Sequence, residues 1–161
     1  MENIETNVIK FLDSTAVPYE VIKIDPNFAD TAEFCEKYEF PVENSANTII
    51  VASKKKPRTF TASVVRATHR LNVNHVIKPI MNVGKVSFAT AEETAEFTGM
   101  MIGGVTALAL PKGLPIYVDS GLMMLDYIIL GGGSRSIKIK IAPEVFKCIP
   151  EATIIEGLAG E

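Results

Sequence analysis

Residues 98–119, TGMMIGGVTALALPKGLPIYVD, set the adjacent glycines Gly103 and Gly104 and the hydroxyl of Thr106 between two apolar runs. Paired glycines remove two side chains, so backbone comes close to whatever lies opposite and N–H groups can face a ligand. The segment reads either as a small pocket lined by backbone amides or as a tight turn between strands.

The chain of 161 residues is long enough for one domain, 1–161, with a real core. Hydrophobic residues make up 47% and charged residues 22%, the ordinary balance of a globular protein. A net charge of −3 supplies no global field toward nucleic acid, so DNA is not an expected partner and any RNA contact has to come from a local patch. Cys35 and Cys148 lie far apart and form no metal motif, which fits idle thiols in a reducing cytoplasm. The opening MENIETNVIK is acidic and polar, unlike a signal peptide. No apolar run approaches the ~20 residues of a membrane span, so no membrane association is expected.

Ile4, Val8, Phe11 and Leu12 share one face of an opening helix that ends near Ser14, with Pro18 beyond. Residues 19–24 (YEVIKI) read as a strand. Asp30 or Thr31 caps a short helix that Pro41 stops. Residues 48–52 (TIIVA) form a buried strand, and 59–65 return antiparallel after a basic tip at 54–58. A short helix at 73–78 is limited by Pro79, and 85–88 form a short strand. Thr90 and Glu93 make a capping box for a helix that runs to Thr98 and ends at Gly99. Strands follow at 102–108, 116–119, 127–130 and 136–141. Pro143 opens a last helix, and 153–155 form a short closing strand. This order predicts an α+β domain around one large mixed sheet.

Nucleophile elbow, Walker loop, HExxH and paired-cysteine motifs are all absent. His69 and His75 fit metal ligation or general-base work, or a hydrogen-bonded structural role. The run Gly131, Gly132, Gly133, Ser134, Arg135 offers either an anion nest with a guanidinium partner or a flexible hairpin bend. Asp119 either holds a backbone or ligand amine or forms an Asx turn. Lys54 to Arg58, with Arg66, Arg70 and Lys78, form either an RNA-facing patch or a solvated tip. Asn47 and Thr48 enter the buried strand, where the Asn47 amide can read a substrate or close the turn.

In this order, the VPYE after the opening helix, SANTIIVAS, the glycine-threonine block and LGGGSRSIKIKIAPE resemble the YbaK/prolyl-tRNA synthetase-associated editing domain family over nearly the whole chain. The resemblance implies a single α+β domain with a mixed, partly barrel-like sheet and flanking helices. It implies a free-standing, trans-acting aminoacyl-tRNA deacylase that hydrolyses the ester of a mischarged tRNA with a small amino acid, using no metal and no cofactor. The alternative is a non-catalytic module of the same fold that binds aminoacyl-adenosine, a nucleotide or an amino acid. A protein-interaction domain that uses a sheet edge is a third reading. The partner is the aminoacyl-tRNA acceptor end in the cytoplasm, with a synthetase or a second copy as the expected protein contact.

On this resemblance Gly103, Gly104, Val105 and Thr106 form the catalytic loop. Asn47 and Thr48 stand at the pocket, Asp119 braces the loop, and Gly132, Gly133, Ser134 and Arg135 meet the terminal adenosine or its phosphate. Four positions depart from the family pattern. Ala107 replaces the proline of the common G-x-x-x-P loop, and Asn47 replaces a lysine that helps hold the tRNA end. Lys138 and Ile24 stand where cysteine-specific members carry an aspartate and a tyrosine, which argues against cysteinyl specificity.

Overall fold

The computed structural model describes residues 3–160. Helix α1 (Ile4–Ser14) is capped by the Asn3 side chain and buries Val8 and Leu12 on one face. Strand β1 (Tyr19–Lys23) follows, then α2 (Thr31–Tyr38). Helix α2 ends at Glu39, whose φ of 59° reverses the chain before Pro41 is reached.

The mixed sheet is five-stranded in the order β5-β2-β3-β6-β9. Its members are β2 (Ala46–Ser53), β3 (Phe60–Arg66), β5 (Val86–Phe88), β6 (Ile116–Asp119) and β9 (Ala152–Ile155). Strand β2 runs antiparallel to β3 and β5, whereas β6 runs parallel to both β3 and β9. The remaining strands do not extend this sheet, as one large sheet would require. Strands β7 (Ile128–Gly131) and β8 (Ile137–Ile141) form a hairpin on which β1 pairs, and β4 (Arg70–Leu71) pairs with β10 (Ala159–Gly160). A single parallel bridge, Ser45 to Ile129, joins the three-stranded sheet to the entrance of β2. The main core lies where α1 meets both larger sheets, around Leu12, Ile50, Val64, Val118, Leu130 and Ile139.

Local signals account for several boundaries. Helix α4 (Ala91–Thr98) has the full capping box: the Glu93 amide donates to the Thr90 hydroxyl at 3.0 Å, and the Thr90 amide donates to the Glu93 carboxylate at 3.0 Å. Gly99, at φ 76°, ends the helix. Arg58 bonds the Glu93 carboxylate and so ties the basic tip to this helix. Together with the Thr90 amide, that contact holds the Glu93 carboxyl below its usual range. Thr90→Ala removes one half of the box, and we expect it to cost about 1 kcal/mol in urea unfolding.

Elsewhere tertiary packing overrides the sequence pattern. Pro79 does not stop a helix: it sits in the first turn of α3 (Lys78–Met81), after a π-helical turn at Val73–Ile77. The segment after Pro143 is a 3-10 helix, Pro143–Cys148. Residues 102–108 do not form a strand. They form a turn and then enter a 3-10 helix, Ala107–Ala109, capped by Thr106. Among the described residues, no helix is long and apolar enough to cross a membrane.

Candidate functional site

The glycine loop starts with a turn. The Gly104 amide donates to the Met101 carbonyl at 2.8 Å, and Gly103 takes the third position at φ 94°. Only glycine enters that left-handed conformation without strain, and a single positive φ there defines a type II turn. The two outward carbonyls are each held by a cation. Arg135 Nη1 donates to the Ile102 carbonyl at 2.7 Å, and Lys138 Nζ donates to the Gly103 carbonyl at 2.8 Å. Arg135 also bonds Asp30 at 3.1 Å and the Pro26 carbonyl at 3.1 Å, so it pins the loop to the start of α2. The expected proline of this loop is Ala107, yet these two side chains fix the preceding turn.

Behind the turn, the two glycine blocks pack backbone against backbone. The Gly133 amide donates to the Gly104 carbonyl at 2.7 Å. A Cβ on Gly104 would lie 2.4 Å from the Ser134 carbonyl oxygen, and one on Gly131 would lie 2.4 Å from that of Val105. The second block is therefore both the bend of the β7–β8 hairpin and the backing of the loop.

In front of the loop lies a cavity of about 390 Å³ between α2, β2 and the hairpin. Asn47, Thr48, Gly103 and Val105 are all on its wall, together with Asp30, Thr31, Phe34, Gly131 and Lys138. Among the described residues, the amides of Gly103 and Val105 donate to no protein acceptor. Asn47 Oδ1 accepts from the Thr31 hydroxyl at 2.9 Å, which leaves its NH₂ group for a ligand. The Thr48 hydroxyl is buried without a partner.

Other expected site residues lie off the wall. The Gly104 amide is spent within the turn. Thr106 is fully buried, and its hydroxyl accepts from the Leu108 amide at 3.3 Å, so it caps the 3-10 helix and is not presented to the cavity. Asp119 is buried at the end of β6 opposite Ile155 of β9. Its carboxylate and the Arg66 guanidinium crowd the space that a side chain on Gly121 would fill. Gly132 and Gly133 are buried backbone, and the Ser134 hydroxyl bonds Glu5 of α1. Arg135 is committed to the loop. His69 bonds the neighbouring Thr68 hydroxyl, His75 is exposed, and neither lines the cavity.

Lys138 is the cavity residue that sequence reading noted only as a departure. It is 7% exposed, and burial pulls its ammonium down to about 8, partly countered by Asp30. Its Nζ lies 5.6 Å from the centre of the Phe34 ring. The alternation in IKIKI ordinarily marks a strand with one wet face, but here α2 and its Phe34 cover the second face.

The structure is thus a mixed domain whose cavity is lined by the loop residues Gly103 and Val105, with unspent amides, and by one buried cation, Lys138. The family model of the aminoacyl-tRNA editing domain matches residues 25–148, and the chain belongs to that family. The fold is similar to the crystal structure of a proposed trans-editing enzyme for prolyl-tRNA synthetase, with a TM-score of 0.80, 19% identity and coverage of 100% of this chain and 99% of that one. It is also similar to the hypothetical protein APE2540, with a TM-score of 0.83, 22% identity and coverage of 96% and 99%. A proposed signal transduction protein from Marinobacter aquaeolei VT8 shares the fold at a TM-score of 0.67 and 12% identity, over 97% of this chain and 31% of its own. At these identities the likeness is one of fold.

Proposed function

We propose that the cavity is the editing site of a trans-acting aminoacyl-tRNA deacylase for small amino acids. The observation that carries this reading is the pair of unspent amides, Gly103 and Val105, on the cavity wall. Membership of the editing family supports it, as does the likeness to a proposed trans-editing enzyme across that protein's length. In this reading water adds to the ester carbonyl, the bond to the ribose oxygen breaks, and the products are a free amino acid and uncharged tRNA. The amides face the oxygen on which negative charge develops, and the clamped turn keeps them oriented without reorganisation. The limited volume excludes larger side chains. The Phe88 ring lies on the cavity wall yet is 58% exposed, and it offers the terminal adenine a stacking surface. The acceptor end of tRNA, met in the cytoplasm, is the partner.

The test is release of amino acid from a panel of mischarged tRNAs. Turnover of at least one small aminoacyl ester is expected, and an intact fold that is inert on every member rejects the reading. A second reading, a binding module, is favoured by Asn47, which stands where the family commonly has lysine and already bonds Thr31. An inert parent together with an active Asn47→Lys variant would establish it, whereas an active parent excludes it.

A further inference from the structure

Lys138 is a buried cation with no ion-pair partner among the described residues. Asp30, the carboxylate on the same cavity wall, is bonded to Arg135. An ammonium has three donors, and among the described residues that of Lys138 donates only to the neutral Gly103 carbonyl. Buried charges in proteins are normally paired, because leaving water is costly and a neutral acceptor offsets only part of that cost. The group is nevertheless positioned to stay charged at neutral pH.

The cavity is also polar along its depth. Asp30 is at the open side, with its side chain 56% exposed, whereas Lys138 is 7% exposed beside the fully enclosed Phe34. The negative end therefore faces solvent and the positive end faces the interior. An aminoacyl ester brings its own α-ammonium, for which Asp30, shared with Arg135, is the carboxylate on the wall. With the ammonium there, a side chain directed inward approaches Lys138. An alkyl or thiol side chain leaves the buried ammonium without a counter-ion, and a cationic one is repelled.

We infer that Lys138 is a specificity residue that receives a carboxylate, so that the cavity takes acyl groups with a short acidic side chain of the aspartyl class. This rests on the reading of the cavity as an aminoacyl site, and it names which aminoacyl group that site prefers. The recognition is noncovalent: one side-chain oxygen accepts from Nζ, and the hydroxyls of Ser45 and Thr48 are among the further polar groups on the wall.

The experiment measures binding of amide-linked 3′-aminoacylamino-3′-deoxyadenosines, which cannot be hydrolysed, so the result does not depend on catalysis. The aspartyl and asparaginyl analogues have the same shape and differ in charge, and the alanyl analogue has no side-chain acceptor. For the parent protein, the aspartyl analogue is expected to bind on the order of 10- to 100-fold more tightly than either of the others. Lys138→Gln keeps a donor for the Gly103 carbonyl but carries no charge, and the aspartyl preference is expected to collapse to about twofold or less, on the same reasoning from the charge-assisted bond. Lys138→Arg, which keeps the charge, should retain a preference. Equal binding of the aspartyl and asparaginyl analogues to the parent overturns the inference, as does a preference that survives in Lys138→Gln. Tight alanyl binding with turnover of alanyl-tRNA removes this inference alone and leaves the deacylase reading in place. Failure of all three analogues to bind rejects both.

Discussion

Lys138→Met is expected to make the protein more stable at pH 7, by about 2 kcal/mol, and to lose that advantage as pH rises from 8 toward 10.5. The fold lowers the Lys138 ammonium from 10.5 to about 8 because burial strips its hydration. Between those two values the unfolded chain binds the proton and the folded chain does not, so the parent gains stability with rising pH across that window. Below it, both states are charged and the folded state carries the whole cost of burying the ion, on the order of 3 kcal/mol. Methionine fills similar space without charge, and replacing a buried ion by an apolar side chain is often stabilising. The lost bond to the Gly103 carbonyl takes back about 1 kcal/mol. Tyr19 and Tyr117 are both raised above 10, Tyr19 by its bond to Asp13 and Tyr117 by burial. Each therefore removes stability above pH 10, equally in parent and variant, and drops out of the difference. Urea unfolding of both proteins at pH 7 and pH 10 measures it, and a difference independent of pH would contradict the environment assigned to Lys138.

Gly104→Ala and Gly131→Ala are expected to cost about 3 kcal/mol each, the upper end for overpacking, because what each methyl meets is backbone. The Ser134 carbonyl oxygen lies 2.4 Å from the new Cβ in the first case and the Val105 carbonyl oxygen 2.4 Å in the second. Neither oxygen belongs to a side chain that can swing aside, so the loop and hairpin have to separate. The Gly133 to Gly104 hydrogen bond weakens with them, and the Gly103 and Val105 amides move on the cavity wall. Gly84→Ala is the contrasting substitution. Nothing lies within 4 Å of its added Cβ, and its φ is not in the left-handed region. There the smaller freedom of the unfolded chain is expected to stabilise by about 0.4–1 kcal/mol. Thermal melts of the three variants provide the comparison, and similar midpoints for Gly104→Ala and Gly84→Ala would rule out the backbone-to-backbone contact.

Features set by neighbours in sequence were the legible ones. The Thr90 box and the Gly99 stop are local hydrogen-bonding and φ requirements, so residues within one turn decide them. Asn47, Thr48, Gly103 and Val105 line one cavity, and the glycine loop and the buried β2 strand that carry them both leave their mark in the chain. The apolar run at 102–108 resembled a strand because hydrophobicity does not distinguish a paired strand from a loop packed under a hairpin. Its turn depends on Arg135 and Lys138, which are distant in sequence. The Thr106 hydroxyl reads from the sequence as a ligand group, but it accepts from the Leu108 amide, a use that spacing alone does not reveal. Asp119 belongs to a second polar grouping with Arg66, which no spacing in the sequence could separate from the first. Strands β4 and β10 are two residues each, too short for any periodicity.

The contact between the two glycine blocks has a further consequence for how this cavity can change. That seam contains main chain on both sides, so even a single added methyl at Gly104 or Gly131 meets backbone, and the seam tolerates almost no substitution. The unspent amides of Gly103 and Val105 belong to a fixed frame. What can vary is the opposite wall, where Phe34, Asn47 and Thr48 contribute side chains from α2 and β2. One half of the cavity wall is then set by peptide geometry, and the other by side chains that substitution can change while the backbone frame stays in place.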